Sequence, residues 1–349
     1  MYIDRNGWIG LGSQDMPFAA KFGIEDATRM VLDFIALNPH LPFIFDTYQL
    51  AYQLGVSRKD LFALTRHASA HYRNITLKKK NGDYRTIHAP DTTLKSVQHT
   101  ILRTVLRHPA SRYATAYVRG RSLTDNASPH VGKRYILKLD ITDFFGSIRF
   151  DQVYSAAFNT RYFPKQIGVM LTTLCCYRDV LPQGAPTSPA LSNLVMKNFD
   201  ENLGAWCEKR GITYTRYCDD MTFSGDCSLY PVYQKVKNML RDTAFELNER
   251  KTHFITNAAR QSVTGLTVNE KVAVSSDYKR RLRQEVHYLL KYGAADCLAR
   301  LGDTETSPET YFNRLVGRLR FVLQIEPDNA YFRRALGDIC NSIYSIFKT

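Results

Sequence analysis

The segment YTRYCDDMTFSG, Tyr214–Gly225, contains two adjacent carboxylates, Asp219 and Asp220, within an otherwise aromatic and apolar stretch. Burying two like charges side by side is costly unless a cation or protonation neutralises them. The stretch has the pattern of a β-hairpin whose turn contains both aspartates. It therefore predicts an acidic turn that serves a cation.

Length and composition place the chain among globular proteins. It has 349 residues, of which 44% are hydrophobic, enough for two or three subdomains. No apolar run reaches the roughly 18 residues that span a bilayer, and the N-terminus lacks the pattern of a secretory signal. Its seven cysteines are an odd number without zinc-site spacing. We expect a reduced, cytoplasmic protein with no membrane partner.

The net charge of +14 is concentrated in one block of the sequence. Residues 66–138 contain 15 lysines and arginines but only 3 acidic residues, whereas residues 139–278 contain 15 of each. A basic block beside a neutral one suggests a track for a polyanion that leads to a separate site. A solvated basic surface is the alternative.

A hairpin is predicted within the basic block. Asn81-Gly82 is a strong signal for a two-residue turn between NITLKKK and DYRTIHAP. With that turn, Lys78 lies opposite Arg85, and residues directly opposite each other point to the same face. The sequence therefore predicts that Lys78 and Arg85 form one cationic prong.

The remaining patterns predict an α+β fold. Helices are expected over residues 26–70, with Ser57 as a cap, and an amphipathic helix follows the basic hairpin. A strand over Tyr135–Asp140 precedes further helices, the Tyr214–Gly225 hairpin, a helix and a short strand. The order indicates a small sheet layered on helices, followed by a helical C-terminus.

Asp140 at the end of one strand and Asp219-Asp220 in a hairpin turn are the candidate metal ligands. Carboxylates from adjacent strands can converge on Mg²⁺, which takes oxygen ligands and shares them with substrate phosphates. Two such ions can activate a nucleophile and stabilise a leaving oxygen in phosphoryl transfer. A solvated Asp-Asp turn is the alternative for the dipeptide alone.

Three motifs occur in an order that resembles the reverse transcriptases: LKLDITDFF, then LPQGAPTSP, then YCDD. The resemblance covers about residues 57–290. It implies a right-hand polymerase with fingers, a palm with a small antiparallel sheet on helices, and a helical thumb. The domains expected are an N-terminal helical extension over 1–65, basic fingers over 66–138, a palm over 139–275 and a thumb over 276–349.

Two shorter motifs narrow the resemblance. NASPH, Asn126–His130, precedes the first aspartate, and VTGL, Val263–Leu266, follows the last palm strand. Together they resemble the retron reverse transcriptases of bacteria. That resemblance implies copying of a dedicated structured RNA into a branched RNA–DNA hybrid, msDNA, primed from an RNA 2′-hydroxyl. It also implies anti-phage defence with an effector protein encoded nearby.

The resemblance assigns the catalytic roles. Asp140 and Asp219 would ligate two Mg²⁺ ions, with Mn²⁺ as an alternative ion, and Asp220 would complete the carboxylate cluster. Ile141 would add its backbone carbonyl. Lys251 would protonate the leaving pyrophosphate, unless it is simply a surface lysine at the start of a strand.

The same resemblance assigns contacts to the incoming deoxynucleoside triphosphate. The backbone amides of Asp143 and Phe144 would face the triphosphate. Phe145 would be the ring that excludes a 2′-hydroxyl, with Phe144 as the competing candidate. Gln183 and Gly184 would contact the nucleotide or the template, and Lys78 and Arg85 would clamp the phosphates.

Contacts to RNA and primer are also expected. Thr264 and Gly265 would lie in a hairpin that grips the primer end. Asn126 and His130 mark the subfamily, with a structural role as the alternative for His130. The cations that could follow RNA phosphates at the start of the C-terminal helices are Arg280, Arg281 and Arg283.

Two other functions fit the same residues less well. The first is another bacterial reverse transcriptase, of group II intron or abortive-infection type. The second is a catalytically silent RNA-binding scaffold, which the intact Asp140, Asp219 and Asp220 argue against. The expected partners of the reverse transcriptase are a structured non-coding RNA that is template and primer, an RNA–DNA hybrid product and deoxynucleoside triphosphates.

Overall fold

The computed structural model describes residues 2–3, 9–10, 20–78, 82–303 and 305–341. Its chain divides into two compact units, each assembled from segments that are distant in sequence. The first comprises Met1–Gly120, Lys138–Thr222 and Tyr230–His253, and the second comprises Arg121–Leu137, Phe223–Leu229 and Phe254–Thr349. The four predicted domains are continuous in sequence and stay a prediction.

The first unit contains most of the helices. They lie at Ile24–Leu37 (α1), Thr47–Leu54 (α2), Arg58–Arg66 (α3), Thr92–Thr104 (α4), Phe150–Val153 (α6), Lys165–Cys175 (α7), Ser188–Val195 (α8), Lys197–Glu208 (α9) and Tyr230–Leu240 (α10). The predicted cap is confirmed, because the Ser57 side chain accepts a hydrogen bond from the backbone amide of Asp60. The predicted amphipathic helix is confirmed as α4, whose Leu94, Val97 and Ile101 are buried.

The central sheet has four strands in the order β6-β7-β5-β8. Its strands are Tyr135–Asp140 (β5), Thr213–Tyr217 (β6), Asp220–Gly225 (β7) and His253–Thr256 (β8). β5 lies in the interior of the sheet and is mostly buried, as its apolar residues require. The predicted hairpin around YCDD is therefore confirmed as β6 and β7, but only Asp219 of the two aspartates lies in its turn, because Asp220 is the first residue of β7.

Two separate hairpins precede this sheet. Tyr2–Ile3 (β1) pairs with Ile9–Gly10 (β2), and Tyr72–Lys78 (β3) pairs with Tyr84–Pro90 (β4), both antiparallel. Beyond the four-stranded sheet, Leu266–Thr267 (β10) pairs with Ser262–Val263 (β9) and with Ala273–Val274 (β11).

The second unit is mainly helical. Its helices are Leu123–Ala127 (α5), Ser276–Leu301 (α11), Pro308–Ile325 (α12) and Ala330–Asn341 (α13), and α11 is broken at Gly293. Their inward faces form one apolar core that includes Leu289, Leu319 and Phe332. The helical C-terminus predicted from the sequence is confirmed.

None of the helices in the described parts of the chain is both long enough and apolar enough to cross a bilayer.

Candidate active site

The end of β5 lies against the turn of the β6–β7 hairpin. The backbone amide of Ile141 donates to the carbonyl of Asp219 at 3.3 Å, and the amide of Asn248 donates to the carbonyl of Asp140 at 2.8 Å. These bonds fix the backbone of Asp140 from two directions. The structure thus places the three predicted carboxylates, Asp140, Asp219 and Asp220, at one edge of the sheet.

The turn itself has an uncommon backbone conformation. Cys218 is buried and has a φ of 61°, in the left-handed region that favours glycine. A non-glycine residue held there costs roughly 1–3 kcal/mol and persists only when its surroundings enforce it.

Burial shapes the electrostatics of the turn. It raises the pKa of Asp219, and the nearby charge of Asp140 adds to that effect. Burial also raises the pKa of Asp220 to about 6, again with a contribution from the neighbouring carboxylates. Both effects disfavour the ionised form, so a cation beside this cluster would restore it.

Lys251 supplies one positive charge to the cluster. Its ammonium Nζ lies 2.8 Å from Oδ1 and 2.9 Å from Oδ2 of Asp140. That bond raises the pKa of Lys251 and keeps the side chain protonated. A protonated lysine at the carboxylates has the charge that a proton donor to a leaving phosphate needs.

The donor set fits a hard divalent ion. The carboxylates of Asp140, Asp219 and Asp220 offer the oxygen ligands that Mg²⁺ prefers. Within the described ranges, no three His, Cys, Asp or Glu side chains form a group that could hold a metal. Mg²⁺ commonly binds through one or two carboxylates plus substrate phosphates, so these residues suit an ion that arrives with a triphosphate.

The two phenylalanines after β5 have different environments. Phe144 is 4% exposed and packs on Phe245 with ring centroids 5.9 Å apart, whereas Phe145 is half-buried. Asp143 is exposed and has a φ of 41°, and its carboxylate occupies the space that a Cβ at Gly146 would need. Of the two candidate rings, Phe145 is therefore the one with surface available to a substrate.

The predicted Gln183-Gly184 loop packs against β4. The Gln183 carbonyl accepts a hydrogen bond from the His88 amide at 2.9 Å. A Cβ at Gly184 would lie only 2.5 Å from Cγ2 of Ile87. The φ of Gly184, 126°, also favours glycine. The close approach that requires glycine here is to the protein's own hairpin, while the half-buried Gln183 side chain stays a predicted substrate contact.

The predicted register of the β3–β4 hairpin is wrong by one residue. Lys78 pairs with Tyr84, and Leu77 pairs with Arg85. A one-residue slip moves a side chain to the opposite face, so Lys78 and Arg85 point away from each other and do not form one prong. Five residues of the sequence separate Lys78 from Tyr84, and of these Lys79, Lys80 and Asn81 lie outside the described residues. A two-residue turn at Asn81-Gly82 would leave an even number of residues between any pair, so the observed pairing does not fit the predicted turn.

The NASPH motif lies inside the second unit. Asn126 is 1% exposed and His130 is fully buried, with its Nδ1 2.7 Å from Oγ of Ser224. Burial lowers the pKa of His130 to about 3 and keeps the imidazole neutral. These side chains have no surface to offer a nucleic acid, which favours the structural alternative.

The remaining predicted RNA contacts also lie in the second unit. Thr264 and Gly265 form the turn between β9 and β10, with φ values of 48° and 84°. In α11, Arg280, Arg281 and Arg283 are all exposed, and the guanidinium carbon of Arg283 lies 5.4 Å from the ring centroids of both Tyr331 and Phe332. All these residues stay predicted RNA contacts.

Behind the acidic turn lies a buried polar network that the sequence reading did not identify. Arg216 is fully buried and contacts Asp200 through Nε at 2.8 Å and Nη2 at 2.6 Å. Its Nη1 donates to the carbonyl of Cys218 at 2.8 Å, and its Nη2 donates to Asn193 at 3.2 Å. The hydroxyl of Tyr214 also donates to Asp200, at 2.7 Å.

This network connects the turn to the helices behind it. Because a buried charge must be paired, a lone arginine in an apolar strand predicts an acidic partner elsewhere in the sequence. Arg216 within YTRYCDD was that signal. The partner, Asp200 on α9, is visible only once the helix is packed against β6.

The α+β fold brings three carboxylates to one edge of the sheet, and comparison with known proteins identifies the family of the chain. Residues 77–289 match the reverse transcriptase (RNA-dependent DNA polymerase) family. The match covers more than half of the chain and includes all three carboxylates. The chain therefore belongs to the reverse transcriptases, and it is a nucleotidyltransferase that synthesises DNA on an RNA template.

Within that family the chain is of the retron type. It is 31% identical over 258 residues to the retron Ec86 reverse transcriptase of Escherichia coli, covering 72% of this chain and 80% of that protein. It is 34% identical over 301 residues to the retron Mx65 reverse transcriptase of Myxococcus xanthus, covering 80% of this chain and 67% of that protein. The predicted resemblance to retron enzymes is thereby confirmed.

Solved structures resemble the chain more distantly. A telomerase from Candida albicans aligns at a TM-score of 0.43 and 11% identity, over 79% of this chain and 64% of that one. A foamy viral protease-reverse transcriptase aligns at a TM-score of 0.44 and 14% identity, over 78% of this chain and 33% of that one.

Proposed function

We propose that this enzyme copies a dedicated structured non-coding RNA into a branched RNA–DNA hybrid, msDNA. Synthesis would begin at a 2′-hydroxyl of the RNA itself, so that template and primer are one molecule. The observation that carries the proposal is the similarity to retron reverse transcriptases together with intact carboxylates at Asp140, Asp219 and Asp220. The substrates are this RNA and the four deoxynucleoside triphosphates.

Reverse transcriptases use divalent metal ions, and we assign two Mg²⁺ ions to the carboxylates of Asp140, Asp219 and Asp220 and the carbonyl of Ile141. When bound, such ions lower the pKa of an attacking hydroxyl and stabilise the charge on a leaving phosphate. Mn²⁺ has similar ligand preferences and would be an alternative ion. The half-burial of Asp219 and Asp220 supports this assignment, because burial disfavours the ionised carboxylates and a nearby cation would stabilise them.

The protein residues would orient the substrates and move one proton. The half-buried ring of Phe145 would lie beside the sugar C2′ and exclude a ribonucleotide, while the backbone amides of Asp143 and Phe144 would face the triphosphate. Lys251, which is held protonated at Asp140, would donate its proton to the leaving pyrophosphate.

The proposal extends to defence against phage. An effector protein encoded near this gene would act together with the RNA–DNA hybrid. Retron-type similarity supports this role, and no residue of this chain identifies the effector. The test is phage plating on cells that carry the whole locus, compared with the same locus bearing Asp219→Asn. Protection that survives loss of DNA synthesis would contradict a role for the hybrid.

The nucleic acid that copurifies with the protein tests the proposal directly. We expect an RNA–DNA molecule whose DNA strand is joined covalently to the RNA. A 2′,5′-debranching enzyme should release the DNA strand, whereas heating without alkali, which separates only base-paired strands, should not. The Asp219→Asn protein, purified in the same way, should carry the RNA alone. DNA without a branch, or no DNA on the wild-type protein, would contradict the proposal.

A further inference from the structure

A concave surface beside α4 is lined by cations. A cleft of about 750 Å³ in the first unit has Arg103, Arg107 and Arg119 on its walls, together with His40 and His108. None of the residues that line it is acidic. A cleft lined by one sign of charge concentrates ligands of the opposite sign.

The positive surface continues along α4. A shallower depression of about 430 Å³ is lined by Lys95, His99 and Arg103, and it shares Arg103 with the cleft. Arg107 follows three residues beyond the end of α4, and Lys95, His99 and Arg103 follow at intervals of four residues, so these three lie along one side of the helix. Successive positions are about 6 Å apart along the helix, comparable with the separation of successive phosphates in a polynucleotide strand. We call the two depressions together the α4 groove.

The cations of the α4 groove are available to a ligand. Lys95, Arg103, Arg107 and Arg119 are all exposed, and in the ranges that the structure describes no carboxylate forms an ion pair with them. Arg103 and Arg107 each donate from Nε to a backbone carbonyl four residues earlier in the sequence. Their terminal amino groups keep donors for phosphate oxygens.

The deeper part of the cleft is suited to more than a bare phosphate. Its floor includes the apolar side chains of Leu102, Leu106 and Leu194. His108 lines it as well, and its Nε2 is buried with no hydrogen-bond partner among the described residues. A cleft lined by apolar side chains and exposed cations matches an unpaired nucleotide, which presents a base, a ribose and a phosphate.

We propose that the α4 groove binds a single-stranded segment of the RNA substrate, with its phosphates along Lys95, Arg103 and Arg107 and one unpaired nucleotide in the cleft. The inference depends on the RNA substrate of the proposed function but not on the 2′,5′ branch. Phosphates of a free triphosphate share the same chemistry, and the experiment separates the two sources. Cations that serve only the C-terminal dipole of α4 are the remaining alternative.

The test compares two triple variants of the full chain. Lys95→Gln/Arg103→Gln/Arg107→Gln removes three charges from the groove. Lys165→Gln/Lys209→Gln/Arg241→Gln removes three exposed charges elsewhere in the same unit and is the matched control. Kd is measured across a salt series with a mixed-sequence single-stranded RNA and with the same RNA in a duplex. The KM for deoxynucleoside triphosphates is measured on a saturating homopolymer template with an annealed DNA primer.

We expect the groove variant to bind single-stranded RNA roughly 10- to 100-fold more weakly than the control variant, with a salt slope shallower by about 2. The KM for triphosphates should match that of the control. Equal losses in both variants would overturn the proposal, because net charge alone would then explain them. So would an unchanged Kd, or a raised KM with unchanged RNA binding. Copurified DNA that lacks a branch would contradict the proposed function and leave this result standing.

Discussion

The guanidinium of Arg216 and the carboxylate of Asp200 form a fully buried ion pair, with Nη2 and Oδ2 2.6 Å apart. The same guanidinium donates to the carbonyl of Cys218, the residue that precedes Asp219 and Asp220. Cys218 has a left-handed backbone, so this bond holds a strained turn in place. The pair thus connects the packing of α9 to the position of Asp219.

Replacing the pair separates its structural contribution from its effect on the turn. Arg216→Met alone leaves the buried charge of Asp200 without its cation and should lower the free energy of unfolding by about 3–5 kcal/mol. Arg216→Met/Asp200→Leu/Tyr214→Phe replaces the charges and the Tyr214 hydroxyl with apolar groups and should recover most of that loss. Urea unfolding measures both variants.

The triple variant should nevertheless synthesise DNA more slowly than the wild type, because the Cys218 carbonyl has lost the hydrogen bond from Arg216. We expect kcat to fall at least about tenfold with little change in the KM for deoxynucleoside triphosphates. A stable triple variant with wild-type kcat would show that the bond does not position the turn.

Phe145 is expected to determine the choice of sugar. Phe145→Ala should raise the efficiency of ribonucleotide incorporation relative to deoxynucleotides, because it opens space beside C2′. Single-nucleotide extension gives the ratio. Phe144→Ala is the matched control, and because its ring is buried against Phe245 it should mainly reduce stability. A ratio that rises in Phe144→Ala but not in Phe145→Ala would reverse the assignment.

The observed register separates the two cations of the β3–β4 hairpin. Arg85 is on the same face as Ile87, which approaches the Gln183-Gly184 loop, and Lys78 is on the other face. Arg85→Ala should therefore raise the KM for triphosphates roughly 10- to 100-fold, since a charge-assisted contact contributes about 1.5–3 kcal/mol. Lys78→Ala is the matched control and should leave the KM near the wild-type value. Similar effects of both substitutions would argue against a contact specific to one face.

His130 should make the stability of the protein depend on pH. Its pKa in the folded protein is about 3, below the ordinary value of 6.5, because of burial and the nearby charge of Lys133. The unfolded chain therefore binds a proton that the folded chain does not. The stability that depends on a neutral His130 is therefore fully present above about pH 6.5, and it is lost as the pH falls towards 3.

Between pH 7 and pH 5 this single group should remove about 2 kcal/mol of unfolding free energy. His130→Asn should flatten the dependence by that amount, as measured by urea unfolding at each pH. His287→Asn changes an exposed histidine of the same unit and serves as the control. An unchanged slope in His130→Asn would contradict the assignment.

The elements that local pattern determines were predictable from the sequence. The hydrophobic period of α4, the Ser57 cap and the apolar strand β5 all depend on neighbouring residues, and each was predicted correctly. The carboxylates were identifiable for the same reason, because charges in an apolar stretch need an explanation.

Features that depend on tertiary pairing were not predictable. The predicted hairpin register was wrong because Lys78 pairs with Tyr84 and not with Arg85, and nothing in the local sequence fixes that pairing. Asp200 gave no sign of its role, since its partner Arg216 lies 16 positions away and meets it only after α9 packs on β6. Asn126 and His130 were predicted to contact RNA because a motif shows importance without showing burial.

The most direct test of the central assignment is Asp219→Asn. An amide has nearly the same shape as the carboxylate but is a poorer ligand for a hard cation, so the fold and the RNA-binding surfaces should persist. Primer extension and RNA filter binding are measured on one preparation. We expect DNA synthesis to be abolished and the RNA Kd to stay near the wild-type value. DNA synthesis at a rate near that of the wild type would contradict the assignment of the catalytic site.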